Sequence, residues 1–240
     1  MCFTVNVNII KEELEKRYGA GLLDPDTYRP SYYYHAHSFP QLPVICSDNP
    51  SEIRLMQWGL IPSWAADEAE AGDMRIKTLN ARSETIDLKP AFRESFVSRR
   101  CLVPVCGFFE WQHIGGRKIP WYIRLQEEEI FSLAGIWDSW TIKGGITVST
   151  FSIVTTRANE LMAEIHNTKK RMPVILPASV EKLWLKKELA KASAIPLMEP
   201  VASEMLTAHT ISPLITNPKG DRNRPELIKP YSYPVQGTLF

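Results

Sequence analysis

Cys101-Leu102-Val103-Pro104-Val105-Cys106 is a short apolar run rich in β-formers, and similar runs follow at 119–125, 130–137 and 146–155. Turn-like pairs, Gly115-Gly116 and Gly144-Gly145, break them apart. The middle of the chain therefore reads as sheet. Upstream, 42–46 and 53–58 flank Ser47-Asp48-Asn49-Pro50 as strand, turn and strand. Helical spacing lies outside this region. Ile10, Leu14 and Tyr18 recur between a candidate N-cap at Asn8 and a stop signal at Gly19, which predicts a helix over 9–18. Two more are predicted over 157–166, with the pairs Leu161/Ile165 and Met162/His166, and over 179–190 after Pro177. Residues 65–74 read as an acidic surface excursion. With no internal repeat and no Gly/Ser-rich linker, the expected architecture is one α+β domain over 1–240. Its core is a mixed, mainly antiparallel, curled, barrel-like sheet with peripheral helices.

The 240 residues are 44% hydrophobic and 23% charged, which excludes disordered and low-complexity architectures. A net charge of +1 provides no whole-molecule field for a polyanion, so any nucleic-acid site must be a local patch. The four cysteines, at 2, 46, 101 and 106, are too few and too unevenly placed for a disulfide scaffold and read as reduced thiols in a cytoplasm. No signal peptide or membrane-spanning stretch is expected.

Several features carry chemistry. Initiator methionine is normally removed before a small residue, so the mature chain could begin at Cys2. An N-terminal cysteine presents a thiol and an α-amine on adjacent carbons, with ordinary pKa values near ~8.5 and ~8. That 1,2-aminothiol condenses with aldehydes to a thiazolidine; the alternative is a small apolar residue at the start of a strand. Glu110 ends the apolar run beside Trp111, where burial would raise its pKa for general acid/base work; pairing with a neighbouring Arg, or exposure on the alternate face of the strand, is the alternative. Asn80 and Arg82 lie on one side of an extended segment, suited to a small polar group and a phosphate, or to anchoring a loop. His166 is followed by Lys169, Lys170 and Arg171, a combination that suits a phosphate-rich substrate or a helix C-terminus. Trp58, Pro62 and Trp64 lie in a turn where aromatic rings can stack on unpaired bases or pack in the core. His35 with His37, or Cys101 and Cys106 with His113, match no familiar metal pattern, and neither a metal nor any other cofactor is expected.

Taken in order, these features resemble the SOS-response-associated peptidase (SRAP) family of abasic-site processing proteins. The resemblance runs through Met1-Cys2, Trp58 to Trp64, Asn80 to Thr85, Arg100 to Trp111, Ala134-Gly135-Ile136-Trp137, Ile165-His166, Arg171-Met172-Pro173 and Pro225-Glu226-Leu227-Ile228, nearly end to end. It implies a single-stranded DNA partner containing abasic sites, no membrane partner, and loss of Met1 by a peptidase-like activity. It also implies a thiazolidine cross-link between Cys2 and the ring-opened aldehyde of the abasic site, with lyase-like reversal. Asn80 would hold the N-terminal residue or the opened sugar, Glu110 would shuttle protons, and His166 would assist ring opening and reversal. Arg82 and Arg171 would bind phosphates, and the Trp58 to Trp64 loop would stack or wedge. Two other readings remain open at this point: a thiol hydrolase with His166 as base, and a non-catalytic module for single-stranded or modified DNA.

The chain departs from the family at Phe3-Thr4, where Gly-Arg is usual, so a phosphate-binding arginine is missing. Lys169 and Lys170 lie in an apparent insertion and are candidates to replace it. Replacing both with alanine is predicted to weaken single-strand binding and flatten its salt dependence, measured by titration at several salt concentrations; an unchanged slope rejects the replacement.

Overall fold

The computed structural model describes residues 2–234. In chain order the elements are β1 (Thr4–Val7), α1 (Lys11–Tyr18), β2 (Gly21–Leu22), β3 (Ser31–His35), β4 (Gln41–Cys46), β5 (Asn49–Trp58), α2 (Glu68–Lys77), β6 (Asn80–Arg82) and α3 (Arg93–Ser98). They continue with β7 (Arg100–Val105), β8 (Gly107–Ile114), β9 (Arg117–Leu125), β10 (Phe131–Thr141), β11 (Thr147–Arg157) and α4 (Glu160–Ile165). The last are β12 (Arg171–Pro173), β13 (Ile175–Leu176), α5 (Ala178–Trp184), α6 (Lys191–Ala194) and β14 (Leu206–Thr210).

The fold is mixed α+β around a closed five-strand barrel. Strands β5, β4, β7, β10 and β11 pair antiparallel in that order, and a parallel contact of Thr150 and Phe151 with Gln57 and Trp58 closes the ring. Every residue of β7 is buried, which is why its sequence shows an apolar run without alternation. Gly135 of β10 faces it: a Cβ there would lie 2.7 Å from Cys101 Sγ, so a side chain would force the two strands apart. A second sheet, ordered β14-β9-β8-β1-β3, packs beside the barrel.

The predicted strand at 101–106 is only half of what forms. After Val105 the chain leaves the barrel, and β8 begins one residue later in the other sheet. The Cys106 N–H donates to Asn6 O at 2.8 Å across this corner. Phe108 packs into the main core and Phe109 into a second cluster with Tyr122, Ile211 and Leu227. Both faces of β8 are covered there, so its sequence lacks the alternation that marks a half-exposed strand.

Helix boundaries also differ from those predicted. α1 starts at Lys11, and Asn8 turns locally, its N–H donating to Asn6 Oδ1 at 2.9 Å rather than capping the helix. Gly19 does stop it in the left-handed region, at φ 62°. Arg157 to Ala158 stay outside α4, whose cap is Asn159, and α5 ends at Trp184. Of the acidic stretch at 65–74, residues 68–74 form the first part of α2 and Asp67 is its N-cap. Asp67 accepts the Glu70 N–H at 2.9 Å, acids fill the first turn, and Arg75 and Lys77 fill the last. Ala71 alone is buried, so no apolar stripe announces this helix.

Arg100, 1% exposed, ties α3 and α5 to the barrel. Its guanidinium donates to the carbonyls of Phe96, Val97, Trp184 and Lys186 at 2.6–2.8 Å, at the C-terminal ends of both helices. Arg100→Met is predicted to lower unfolding free energy by about 3–4 kcal/mol, because several buried carbonyls lose their donor at once. Arg100→Lys should recover part of that loss, as an ammonium cannot match the fork. Denaturant titration measures both.

Candidate active site

Strands β1 and β8 build the site. They pair antiparallel through Val5↔Phe108 and Asn6↔Gly107, and continuing that register brings residues 3 and 2 alongside Glu110 and Trp111. Cys2 is fully buried. Burial, followed by the charge of Glu110, pushes its thiol well above the ordinary range, so it is a protonated thiol at rest. Glu110 is itself 4% exposed, and burial pushes its carboxyl up to about 7. Near neutral pH it is therefore close to half ionised and able both to take and to give a proton.

The end of α4 brings His166 to the same place. Gln112 of β8 donates to Glu164 O at 3.1 Å. The Asn167 side chain clasps the His113 backbone, accepting its N–H at 3.1 Å and donating to its carbonyl at 2.9 Å. His166 Nδ1 lies 3.7 Å from Glu110 Oε1 but only 2.9 Å from Arg171 O. A carbonyl only accepts, so Nδ1 carries the hydrogen and Nε2 is the basic nitrogen. Burial pushes the imidazole down to about 4. At neutral pH the Glu110–His166 approach is thus a contact of a half-ionised carboxyl with a neutral ring, not a salt bridge, although its distance would suit one.

Glu110 and His166 border a cavity of about 520 Å³ that also touches Phe3, Trp111, His113, Lys118, Lys169 and Arg222. Asn80 opens β6 beside Ile153 of β11. Its amide is buried, and neither its nitrogen nor its oxygen has a hydrogen-bond partner among the described residues.

The predicted nucleic-acid residues separate into two groups. Arg82, Lys169 and Lys170 are exposed, and Lys169 lies on the cavity rim. Trp64 is 43% exposed. Trp58 and Pro62, by contrast, are buried. The Trp58 indole donates to Leu79 O at 2.8 Å and stacks on Phe151 inside the barrel, so it offers no face to a base. Arg171 is also drawn inward, paired with Glu84 and donating to Thr155 O at 2.7 Å. Its carbonyl holds His166 while its charge is held by the fold. His35 and His37 stack on one another, ring centroids 5.2 Å apart.

Lys118 and Arg222 did not stand out in the sequence. Lys118 could have been found from the hairpin register, which pairs it with His113 across the Gly115-Gly116 turn. Arg222 lies in an irregular segment with no periodicity to place it.

With this geometry in hand, comparison with known proteins assigns the family. The SOS response associated peptidase (SRAP) family matches residues 1–218. The chain belongs to that family. It is 38% identical over 204 residues to the abasic site processing protein YoqW of Bacillus subtilis (strain 168), covering 84% of this chain and 87% of that protein. It is 32% identical over 246 residues to the abasic site processing protein HMCES of Mus musculus, covering 86% and 67% respectively. A crystal structure of a protein from Bacteroides thetaiotaomicron superposes with a TM-score of 0.90 at 38% identity, covering 96% of this chain and all of that one. No helix among the described residues is long and apolar enough to cross a membrane.

Glu110 and His166 carry two opposed pH dependences. Glu110 titrates near 7 against an ordinary 4.5, so the folded protein binds more protons in that window and stability falls as pH rises through it. His166 titrates near 4 against an ordinary 6.5, so the folded protein binds fewer protons and stability rises with pH. Glu110→Gln should therefore make stability climb more steeply from pH 5 to 6.5 than in the wild type, and His166→Asn should make it fall. The expected change is on the order of 1–2 kcal/mol in each direction, read by denaturant titration. Parallel profiles for all three proteins would reject the assignment.

Proposed function

We propose that this protein, acting as one SRAP domain, processes abasic sites in single-stranded DNA by forming a thiazolidine through Cys2 once Met1 has been removed. The observation that carries this reading is geometric: the β1–β8 register brings residues 3 and 2 alongside Glu110 and Trp111, and the buried Glu110 and His166 both border one open cavity. The names of the relatives, abasic site processing proteins, agree with it.

The chemistry balances on these groups. The Cys2 α-amine adds to the C1′ aldehyde of the opened sugar, and loss of water forms an imine. Glu110 in its acid form protonates the departing oxygen, and in its base form accepts the amine proton. The thiol sulfur then attacks the imine carbon while a proton passes to the imine nitrogen, which closes the ring. The proton the thiol releases as sulfur attacks is the one the nitrogen gains, so the closure is proton-neutral. Nε2 of His166, basic because Nδ1 is bound to Arg171 O, assists sugar ring opening and reversal of the link. Asn80, with its unmet amide, holds the N-terminal residue or the opened sugar. Arg82, Lys169 and Lys170 bind phosphates, and Trp64 stacks at the strand. Arg171 is a positioning residue for His166.

A cysteine-histidine hydrolase needs a thiolate stabilised by an imidazolium. The raised thiol and the neutral imidazole argue against that resting state.

Intact-protein mass spectrometry of untagged protein, before and after incubation with a single-stranded oligonucleotide carrying one abasic site, tests the proposal. The expected result is loss of Met1, then an adduct that survives denaturation in the wild type and is missing in Cys2→Ala. Glu110→Gln should slow its formation about 100-fold. Processed protein that forms no adduct would transfer the reading to a non-catalytic DNA-binding module.

A further inference from the structure

The family match ends at residue 218, and beyond it Arg222 lines the cavity. Residues 211–234 fold back over the second sheet. Asn223 Oδ1 accepts the Tyr32 N–H at 2.9 Å, which caps a donor beside the outer edge of β3. Leu227 is fully buried with Phe109 and Tyr122, and the Tyr231 N–H donates to Thr210 O at 2.8 Å. Ile211 and Ile215, buried in the same cluster, precede Arg222, so the strap is anchored on both sides of it.

Arg222 is held in a defined orientation on the cavity rim. Its Nη1 donates to Tyr33 Oη at 2.8 Å, and its guanidinium carbon lies 4.3 Å from the centre of the same ring. No carboxylate among the described residues pairs with it; the adjacent Asp221 turns its Oδ1 to the Asn223 N–H at 2.8 Å. A guanidinium has five N–H donors in a flat fork, and Tyr33 takes one of them. The fork that remains matches an anion with two accepting oxygens. Beyond Tyr33 the rings of His35, His37 and Phe3 follow in sequence, with centroid separations of 6.1, 5.2 and 5.0 Å, so Arg222 sits at one end of a stack whose other end adjoins Cys2.

The rim is cationic beyond this one residue. Lys118 on β9 and Lys169 after α4 border the same cavity, whose single carboxylate is the half-ionised Glu110. In a chain of net charge +1, this is a local concentration of positive charge at the mouth of the site.

We propose that Arg222 and Lys118, together with Lys169, form a phosphate clamp that holds the DNA backbone flanking the reacting nucleotide, with Arg222 supplied by the C-terminal strap and aimed by Tyr33. The clamp rests on the reading of this cavity as the site for an abasic nucleotide. It places a phosphate-binding arginine in this chain by tertiary structure, where the residue after Phe3 is a threonine.

The test is equilibrium binding of a fluorescent single-stranded oligonucleotide, without an abasic site, to the full chain at several salt concentrations. The expected result for Arg222→Ala is affinity about 10-fold weaker near physiological salt and a log-log salt slope shallower by about 0.7. Arg222→Lys should keep the slope but lose part of the affinity, because charge is retained and the fork is not. Lys118→Ala, at an exposed position, should also reduce the slope by about 0.7. A merely structural role for Arg222 would alter stability and leave the slope alone. Wild-type affinity and slope in both alanine variants would overturn the clamp. If the wild type binds DNA but forms no adduct at an abasic site, the covalent chemistry fails while the slopes still decide the clamp; a wild type that binds no single strand overturns both.

Discussion

Tyr122 fills the corner at which the chain leaves the barrel for the second sheet, and the placement of the site depends on that corner. Its hydroxyl accepts from Asn6 Nδ2 and donates to Cys106 O, both at 3.0 Å, so one side chain joins β1, the β7–β8 junction and β9. Its ring lies where a Cβ on Gly107 would be, 2.5 Å away, so position 107 cannot carry a side chain without moving it. Removing Cβ at 107 lets the ring seal the corner. With the corner closed, β1 must run beside β8 in a register that brings the first residues to Glu110.

Burial at that point does two things. It raises Glu110 into the physiological range and depresses His166 out of it, which separates two groups that would otherwise form an ordinary ion pair. It also keeps the Cys2 thiol protonated. The cavity therefore brings the buried Glu110 and His166 together with the exposed cations Lys118 and Lys169.

Local signals were enough for much of this architecture. The paired glycines marked the β8–β9 and β10–β11 hairpins, and Gly19 marked the end of α1, since each conformation is one that few other residues adopt. The run from Cys101 was legible as strand because β-branched and apolar residues concentrate there. β8 and α2 were not legible, for opposite reasons. Phe108 and Phe109 are buried on opposite faces and show no alternation, whereas α2 buries little more than Ala71 and shows no stripe. Within the site, the motif order singled out Glu110, His166 and Asn80, while Trp58 and Arg171 have residue types equally at home in a core or on a strand of DNA.

By itself the sequence determined the residue types, the order of the motifs and the sheet-rich middle of the chain, because propensity and turn chemistry act over a few residues. Tertiary structure alone decided which of those residues face the cavity. It buried Trp58 against Phe151, turned Arg171 toward Glu84, and carried Arg222 to Tyr33 across 189 positions of chain. Burial and charge pairing depend on neighbours brought in from distant segments, and no local pattern records them.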